Sequence, residues 1–295
     1  MKSGTLTLPN VNLKLTVFSH GWVFLAPYQW DDTRSVLSRP IRLGKKTAWI
    51  ELRQRGKHVS LRWRSDRSLT SADERRVGEK AQYILGCDID LGPFAEIAKK
   101  NNAKVHRFIR DGGGRLLRSE DLFEDAVKTL LTTNASWSFT TQMVSAVCTL
   151  PGRLSVPSTA VIGGAGLFPT ADEILLFTTK RLERICRLGY RADYLRNVAK
   201  HFVGAPTYRS EDRSQILEAL RGIKGLGPYS INHLAVLLGD HERMPIDSEV
   251  RAFCREHRCL QADKEIEAHY ARWSPYQFLG YKCERIVDRS NWLGD

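Results

Sequence analysis

The chain has 295 residues, 42% hydrophobic and 26% charged, with 11 prolines. That excludes a disordered, collagenous or low-complexity protein and leaves room for about two domains' worth of packed core. Lys and Arg number 45 against 33 Asp and Glu, a net charge of +12, which favours a polyanionic partner without saying which one. No apolar run is long enough to cross a bilayer, and the start, Met1-Lys2-Ser3-Gly4-Thr5, lacks the apolar core of a secretion signal, so no membrane role is expected and the site of action is cytoplasmic (nucleoid-associated) or nuclear. Six scattered cysteines (Cys87, Cys148, Cys186, Cys254, Cys259, Cys283) form no CxxC pair, as expected of reduced packing thiols rather than a disulfide framework or a zinc knuckle.

The first seventy residues alternate in short segments rich in β-branched and aromatic side chains. Leu13–Phe18, Trp22–Leu25, Val36–Leu43, Thr47–Arg53 and His58–Trp63 read as strands of an antiparallel sheet. Turns are expected at Gly21, Asp31-Asp32, Gly44-Lys45-Lys46 and Arg55-Gly56-Lys57. Arg53, Arg55, Lys57, Arg62 and Arg64 fall on outward positions, making one face or edge strongly positive, suited either to repelling other sheet edges or to touching phosphate.

At Leu69-Thr70-Ser71-Ala72-Asp73-Glu74 the pattern changes, and Ser71 with Glu74 three places on predicts a capping box and a helix start. The rest reads as helical, which sets an expected division into a β domain over 1–70 and a helical module over 71–295, an α+β chain. Leu122, Phe123, Ala126, Val127, Leu130 and Leu131 form a wide apolar stripe, typical of a helix deep in a domain. Further helices are expected over about 138–149, 171–187, 191–203, 211–220, 228–239, 247–257, 263–272 and 275–289. Pro157–Phe168, with its Gly163-Gly164-Ala165-Gly166, reads as a connection rather than a phosphate loop, since no Lys-Ser/Thr follows and no strand precedes.

The informative stretch is Leu220-Arg221-Gly222-Ile223-Lys224-Gly225-Leu226-Gly227-Pro228-Tyr229. Two glycines flanking one apolar residue allow a sharp turn in which Leu226 enters the core and the peptide N–H groups face outward. Pro228 suits the first turn of the following helix. Such a hairpin offers Lys224, Gly225, Leu226 and Gly227 to a nucleic-acid backbone without reading bases. Eighteen residues beyond Tyr229 stands Asp247, behind Pro245-Ile246 at an expected helix start.

With these residues the sequence resembles the helix-hairpin-helix (HhH-GPD) DNA glycosylases. The resemblance covers most of the chain and is nearest to the 3-methyladenine and 8-oxoguanine branches, which share an early β-sheet followed by helices. It implies that Asp247 is the catalytic carboxylate. It also implies that Leu122–Trp137 ends in the side chain that fills the gap left by a flipped base, here Asn134, with Arg191 of Leu188–Tyr194 as a helper facing the duplex. A helix cap and a surface arginine are the plainer alternatives for these two.

Two departures shape the implied mechanism. Bifunctional members carry a nucleophilic Lys two places after the second hairpin glycine, where this chain has Tyr229; a phenol forms no Schiff base, so hydrolysis without lyase chemistry is expected. Endonuclease III and the adenine-mismatch glycosylase end in four close cysteines, whereas only Cys254, Cys259 and Cys283 follow here, so neither an iron–sulfur cluster nor any other metal or cofactor is expected. Tyr229, Trp137, Trp273 and Phe278 are the expected aromatic walls of a base pocket, each also suited to ordinary core packing. The implied substrate is duplex DNA bearing a damaged purine, acted on by a monomer. Alkylated bases are favoured by the aromatic in place of Lys, and oxidised guanine by the Gly189-Tyr190-Arg191 segment. A non-catalytic duplex-binding protein, and a lyase using Lys128 or Lys224, are the remaining alternatives.

Overall fold

The computed structural model describes residues 5–9, 11–153, 166–204 and 213–289. In chain order the strands are β1 (Thr5–Pro9), β2 (Gln29–Asp31), β3 (Val36–Leu43), β4 (Lys46–Arg55) and β5 (His58–Ser65). The helices are α1 (Leu13–Val17), α2 (Ser71–Ile84), α3 (Gly92–Asn101), α4 (Ala103–Arg110), α5 (Leu122–Thr132), α6 (Trp137–Val147), α7 (Ala171–Leu175), α8 (Thr179–Cys186), α9 (Arg191–Phe202), α10 (Arg213–Arg221), α11 (Pro228–Leu237), α12 (Ser248–Arg258), α13 (Asp263–Tyr270) and α14 (Gln277–Arg289). Most of the expected connection Pro157–Phe168 lies outside the described residues.

The α+β class is as expected, with an antiparallel sheet in the order β1-β5-β4-β3-β2. The β3–β4 and β4–β5 hairpins close on Leu43↔Lys46 and Arg55↔His58. Gly44 and Gly56 occupy the left-handed region there, at φ 66° and 58°, which only glycine enters without strain. Arg53, Arg55, Lys57, Arg62 and Arg64 are all exposed.

Three local expectations are corrected. The expected strand Leu13–Phe18 is instead the helix α1 over Leu13–Val17: Asn12 accepts a hydrogen bond from the Leu15 amide at 3.1 Å, and Leu13, Thr16 and Val17 are buried at helical spacing. In so short a run this period resembles strand alternation. Trp22–Leu25 is mostly a 3-10 turn over Gly21–Phe24. The capping box before α2 falls one residue earlier, with Thr70 as cap and Asp73 as its partner, because Ser71 is already helical.

The chain divides into two compact units, and the boundary does not fall at residue 70. One comprises 1–88, 116–208 and 223–225; the other comprises 89–115, 209–222 and 226–295. The sheet belongs to the first because it shares a core with later helices. Arg39 of β3 is 1% exposed, and its guanidinium meets Glu124 of α5 at 2.6 and 3.2 Å. Glu124 also pairs with Lys128 at 2.7 Å, and Trp22 donates to Asp125 at 2.7 Å. Buried charges need such partners. Lys128 is wholly enclosed in this pair, which removes it as an amine able to reach DNA. In the second unit Trp273 is 0% exposed, packed against Phe94 at 5.6 Å between ring centres and over Gly280, where a Cβ would fall 2.2 Å from the indole.

Candidate active site

Asp247 is the N-cap of α12. Its Oδ1 accepts the Val250 amide at 2.8 Å, and the Tyr229 hydroxyl of α11 donates weakly to its Oδ2 at 3.4 Å. The carboxylate is half-buried, at the N-terminal end of α12. Burial, reinforced by the charge of Asp247, pushes the Tyr229 phenol well above its ordinary range, so it stays a neutral donor. Tyr229 stacks on His233 with ring centres 6.0 Å apart. Burial lowers His233 to about 3, helped by the charge of Lys282, so that imidazole is neutral.

Besides the expected Phe278, α14 brings charged side chains that were not among the expected site residues. Arg285 meets Glu249, in the first turn of α12, at 2.7 Å and donates to the Tyr281 hydroxyl at 3.0 Å. Lys282 lies with its nitrogen 5.7 Å from the centre of the Phe278 ring. Burial lowers this lysine to about 8; Arg285 adds to the shift, while Asp247 and Glu249 oppose it. The signal was present in the sequence: Phe278, Tyr281, Lys282 and Arg285 recur at helical spacing, placing a cation on a largely apolar stripe.

Of the expected pocket aromatics, Tyr229 adjoins Asp247 directly. Phe278 is 4% exposed and lines up with Lys282 on α14. Trp273 is 0% exposed, enclosed by protein. Trp137 is 44% exposed, in the other unit, with its ring against Gly21. An open cavity of about 280 Å³ is lined by Asn232, Glu242, Arg243, Met244, Glu267 and Gln277; Asp247, Tyr229 and Lys282 are not among its walls, so it is not where the carboxylate acts.

In the first unit, Asn134 follows α5 in the left-handed region at φ 50° and is exposed. Arg191 departs from its expected role. It is 5% exposed, and its guanidinium donates to the Thr133 carbonyl at 2.7 Å and the Asn134 carbonyl at 2.8 Å. A buried arginine spent on backbone carbonyls positions the Asn134 turn rather than facing a duplex. Lys224 is exposed, its nitrogen 6.0 Å from the centre of the Tyr194 ring. Leu226, in the second unit, is 4% exposed, and Gly227 caps α11 with Pro228 at its first position.

The two hairpin glycines are not equivalent. Gly225 has φ 115°, and a Cβ there would lie 2.6 Å from Tyr194 Cβ, whereas a Cβ at Gly227 meets nothing within 4 Å. Gly225→Ala is therefore expected to lower the unfolding free energy by about 1–3 kcal/mol and Gly227→Ala by less than about 1 kcal/mol. Denaturant melts of both variants check this; equal losses would contradict the hairpin geometry.

No protein-family model and no curated protein sequence matches the chain. Solved structures do, over nearly their full length. A 3-methyladenine DNA glycosylase from Archaeoglobus fulgidus superposes with a TM-score of 0.69 at 18% identity, covering 98% of this chain and 100% of that one. The 8-oxoguanine glycosylase/lyase of Clostridium acetobutylicum in its apo form gives 0.69 at 15% identity, covering 95% and 94%. MBOgg1, in complex with a low-affinity DNA ligand, gives 0.69 at 17% identity, covering 97% and 99%. The protein thus has the fold shared by the 8-oxoguanine and 3-methyladenine DNA glycosylases.

Proposed function

We propose that the protein is a DNA N-glycosylase of base excision repair that extrudes a damaged purine from duplex DNA and hydrolyses its glycosidic bond, as a monomer and without lyase chemistry. The observation that carries this reading is Asp247: a carboxylate fixed as a helix cap by Val250, with its second oxygen toward Tyr229, 20 residues past the last glycine of the Gly225-Leu226-Gly227 hairpin. The glycosylase names of structures with the same fold support it, as does the net charge of +12.

The chemistry follows from where charge develops. Cleaving the bond between base and C1′ leaves positive charge on the deoxyribose, and the fixed carboxylate of Asp247 stabilises it. Water adds to C1′ and gives its proton to Asp247. Tyr229 occupies the position of the family's imine-forming amine and supplies a hydroxyl in its place. The base must leave the stack before C1′ can be reached, which costs least for a damaged or mispaired base. Asn134 fills the space left behind, and the amides of Gly225–Gly227 with Lys224 hold the backbone.

A panel of duplexes carrying hypoxanthine, 8-oxoguanine, 3-methyladenine, 7-methylguanine, uracil or an A:G mismatch tests the reading, each product analysed with and without hot alkali. Strand breaks that appear only after alkali are expected for at least one purine lesion. Breaks without alkali would overturn the hydrolytic assignment. Salt-sensitive binding with no excision of any lesion would favour a non-catalytic duplex-binding protein.

A further inference from the structure

Lys282, on the helix that Arg285 ties to the start of α12, is a charged group that the hydrolysis above leaves unused, and the inference drawn from it rests on that glycosylase reading. One contact of its own and two of its neighbours on α14 place it. Its nitrogen is 5.7 Å from the Phe278 ring centre. Arg285, three residues on, is held by Glu249 at 2.7 Å, and Glu249 is two residues past Asp247. Tyr281, its neighbour, is tied to Arg285 at 3.0 Å. The Glu249–Arg285 pair thereby laces this face of α14 to the end of α12 that carries Asp247.

The groups that act on Lys282 are Arg285 and Cys283 on its own helix and Asp247 and Glu249 at the start of α12; Lys282 acts in turn on His233 of α11. Glu249 is engaged by Arg285, and Asp247 by the Val250 amide and the Tyr229 hydroxyl. Among the described residues, no carboxylate stands at ion-pair distance from Lys282, which is half-buried. A desolvated ammonium with no counter-ion in contact is suited to negative charge brought by a ligand.

We propose that Lys282 is a second catalytic group of this site, donating its proton to the departing base, and that the substrates are therefore uncharged damaged purines of the hypoxanthine or 8-oxopurine type rather than cationic N-alkylated purines. An uncharged purine leaves with the electron pair of the C1′–N9 bond and is a poor leaving group until it gains a proton. Asp247 faces the positive charge growing on the sugar and Lys282 the negative charge growing on the base. The C1′–N9 bond breaks, the Lys282 ammonium protonates the base, and water adds to C1′ while Asp247 takes its proton. Both side chains then return to their starting state by exchange with solvent. An N-alkylated purine already carries a positive charge and leaves as a neutral base, so it needs no such proton and meets a like charge at Lys282. This inverts the preference for alkylated bases that the sequence resemblance suggests.

The test is single-turnover excision, with enzyme in excess, from duplexes carrying one hypoxanthine or one 7-methylguanine. Wild type, Lys282→Met and Lys282→Arg are compared after circular dichroism and duplex affinity have shown that each is folded. Wild type is expected to favour hypoxanthine. Lys282→Met should slow hypoxanthine excision by about 10²-fold while 7-methylguanine excision is unchanged or faster. Lys282→Arg should keep the discrimination against 7-methylguanine. Because Lys282 is held at about 8, wild-type excision of hypoxanthine should fall as pH rises through that value, and the fall should be absent in Lys282→Met. Equal slowing of both substrates, a wild-type preference for 7-methylguanine, or a pH profile unchanged in Lys282→Met would each overturn the proposal. An enzyme that depends on Asp247 but is indifferent to Lys282 sinks this inference alone; a wild type that excises no lesion sinks the glycosylase reading with it.

Discussion

Asp247→Asn should reduce single-turnover excision by about 10³–10⁴-fold while leaving duplex affinity and melting temperature nearly unchanged. The substitution separates two jobs of one side chain. As N-cap, Asp247 accepts the Val250 amide at 2.8 Å, and the asparagine carbonyl oxygen accepts it equally well, so the cap is retained within a few tenths of a kcal/mol, roughly. What is lost is the negative charge, and with it both the stabilisation of the sugar cation and the acceptor for the proton of water. Tyr229→Phe provides the contrast. Its hydroxyl donates to Asp247 at a long 3.4 Å, so removing it should cost no more than about ten-fold. Excision kinetics on the preferred lesion, with melts of the same preparations, decide the matter. An Asp247→Asn enzyme within ten-fold of wild type would reduce Asp247 to a cap and return the protein to the duplex-binding alternative.

Asp247 was legible in the sequence because its setting is made by local chemistry. Pro228 after Gly227 starts one helix, and Asp247 behind Pro245-Ile246 caps another; neither needs distant partners to be read. Arg191 shows the opposite case. Its place in sequence is as the resemblance suggests, but whether the guanidinium faces solvent or the Thr133 carbonyl depends on how α9 packs against the end of α5. Packing between elements 58 residues apart leaves no periodic trace. Leu13–Val17 was misread for a third reason, since five residues with apolar positions at both spacings fit a strand and a helix alike until Asn12 caps them. Lys282 lay within a correctly expected helix. The pairing of Arg285 with Glu249 ties that helix to the start of α12, a contact between distant segments that the sequence does not show.

The buried charges of Arg39 on β3 and of Glu124 and Lys128 on α5 were likewise invisible as a cluster, because only packing brings the strand to the helix, and they support the largest stability effect expected here. Glu124→Leu should cost about 3–5 kcal/mol, a large part of the roughly 5–15 kcal/mol that holds a typical domain together. The leucine leaves Arg39, 1% exposed, and Lys128, 0% exposed, without the carboxylate they share, both near the Tyr28 ring at 4.7 and 4.9 Å from its centre. Glu120 offers little relief: it is 3.6 Å from Arg39 and already meets Lys80 at 2.8 Å. The acid limb of the stability curve carries the same signature. Burial alone would raise Glu124, but Arg39 and Lys128 outweigh it and hold the carboxyl down at about 2 against an ordinary 4.5. A depressed carboxyl contributes its stability fully above its unfolded value and loses it as pH falls through the folded one. Wild type should therefore lose stability between about pH 4.5 and 2, and Glu124→Leu should be flatter over that window. Replacing all three charges, as Arg39→Met, Glu124→Leu and Lys128→Met together, removes the uncompensated cations and should recover most of the loss. Chemical denaturation of the single and triple variants across that pH range reads both effects. A triple variant as unstable as the single one would mean that the cost comes from lost packing around Tyr28 and not from stranded charge.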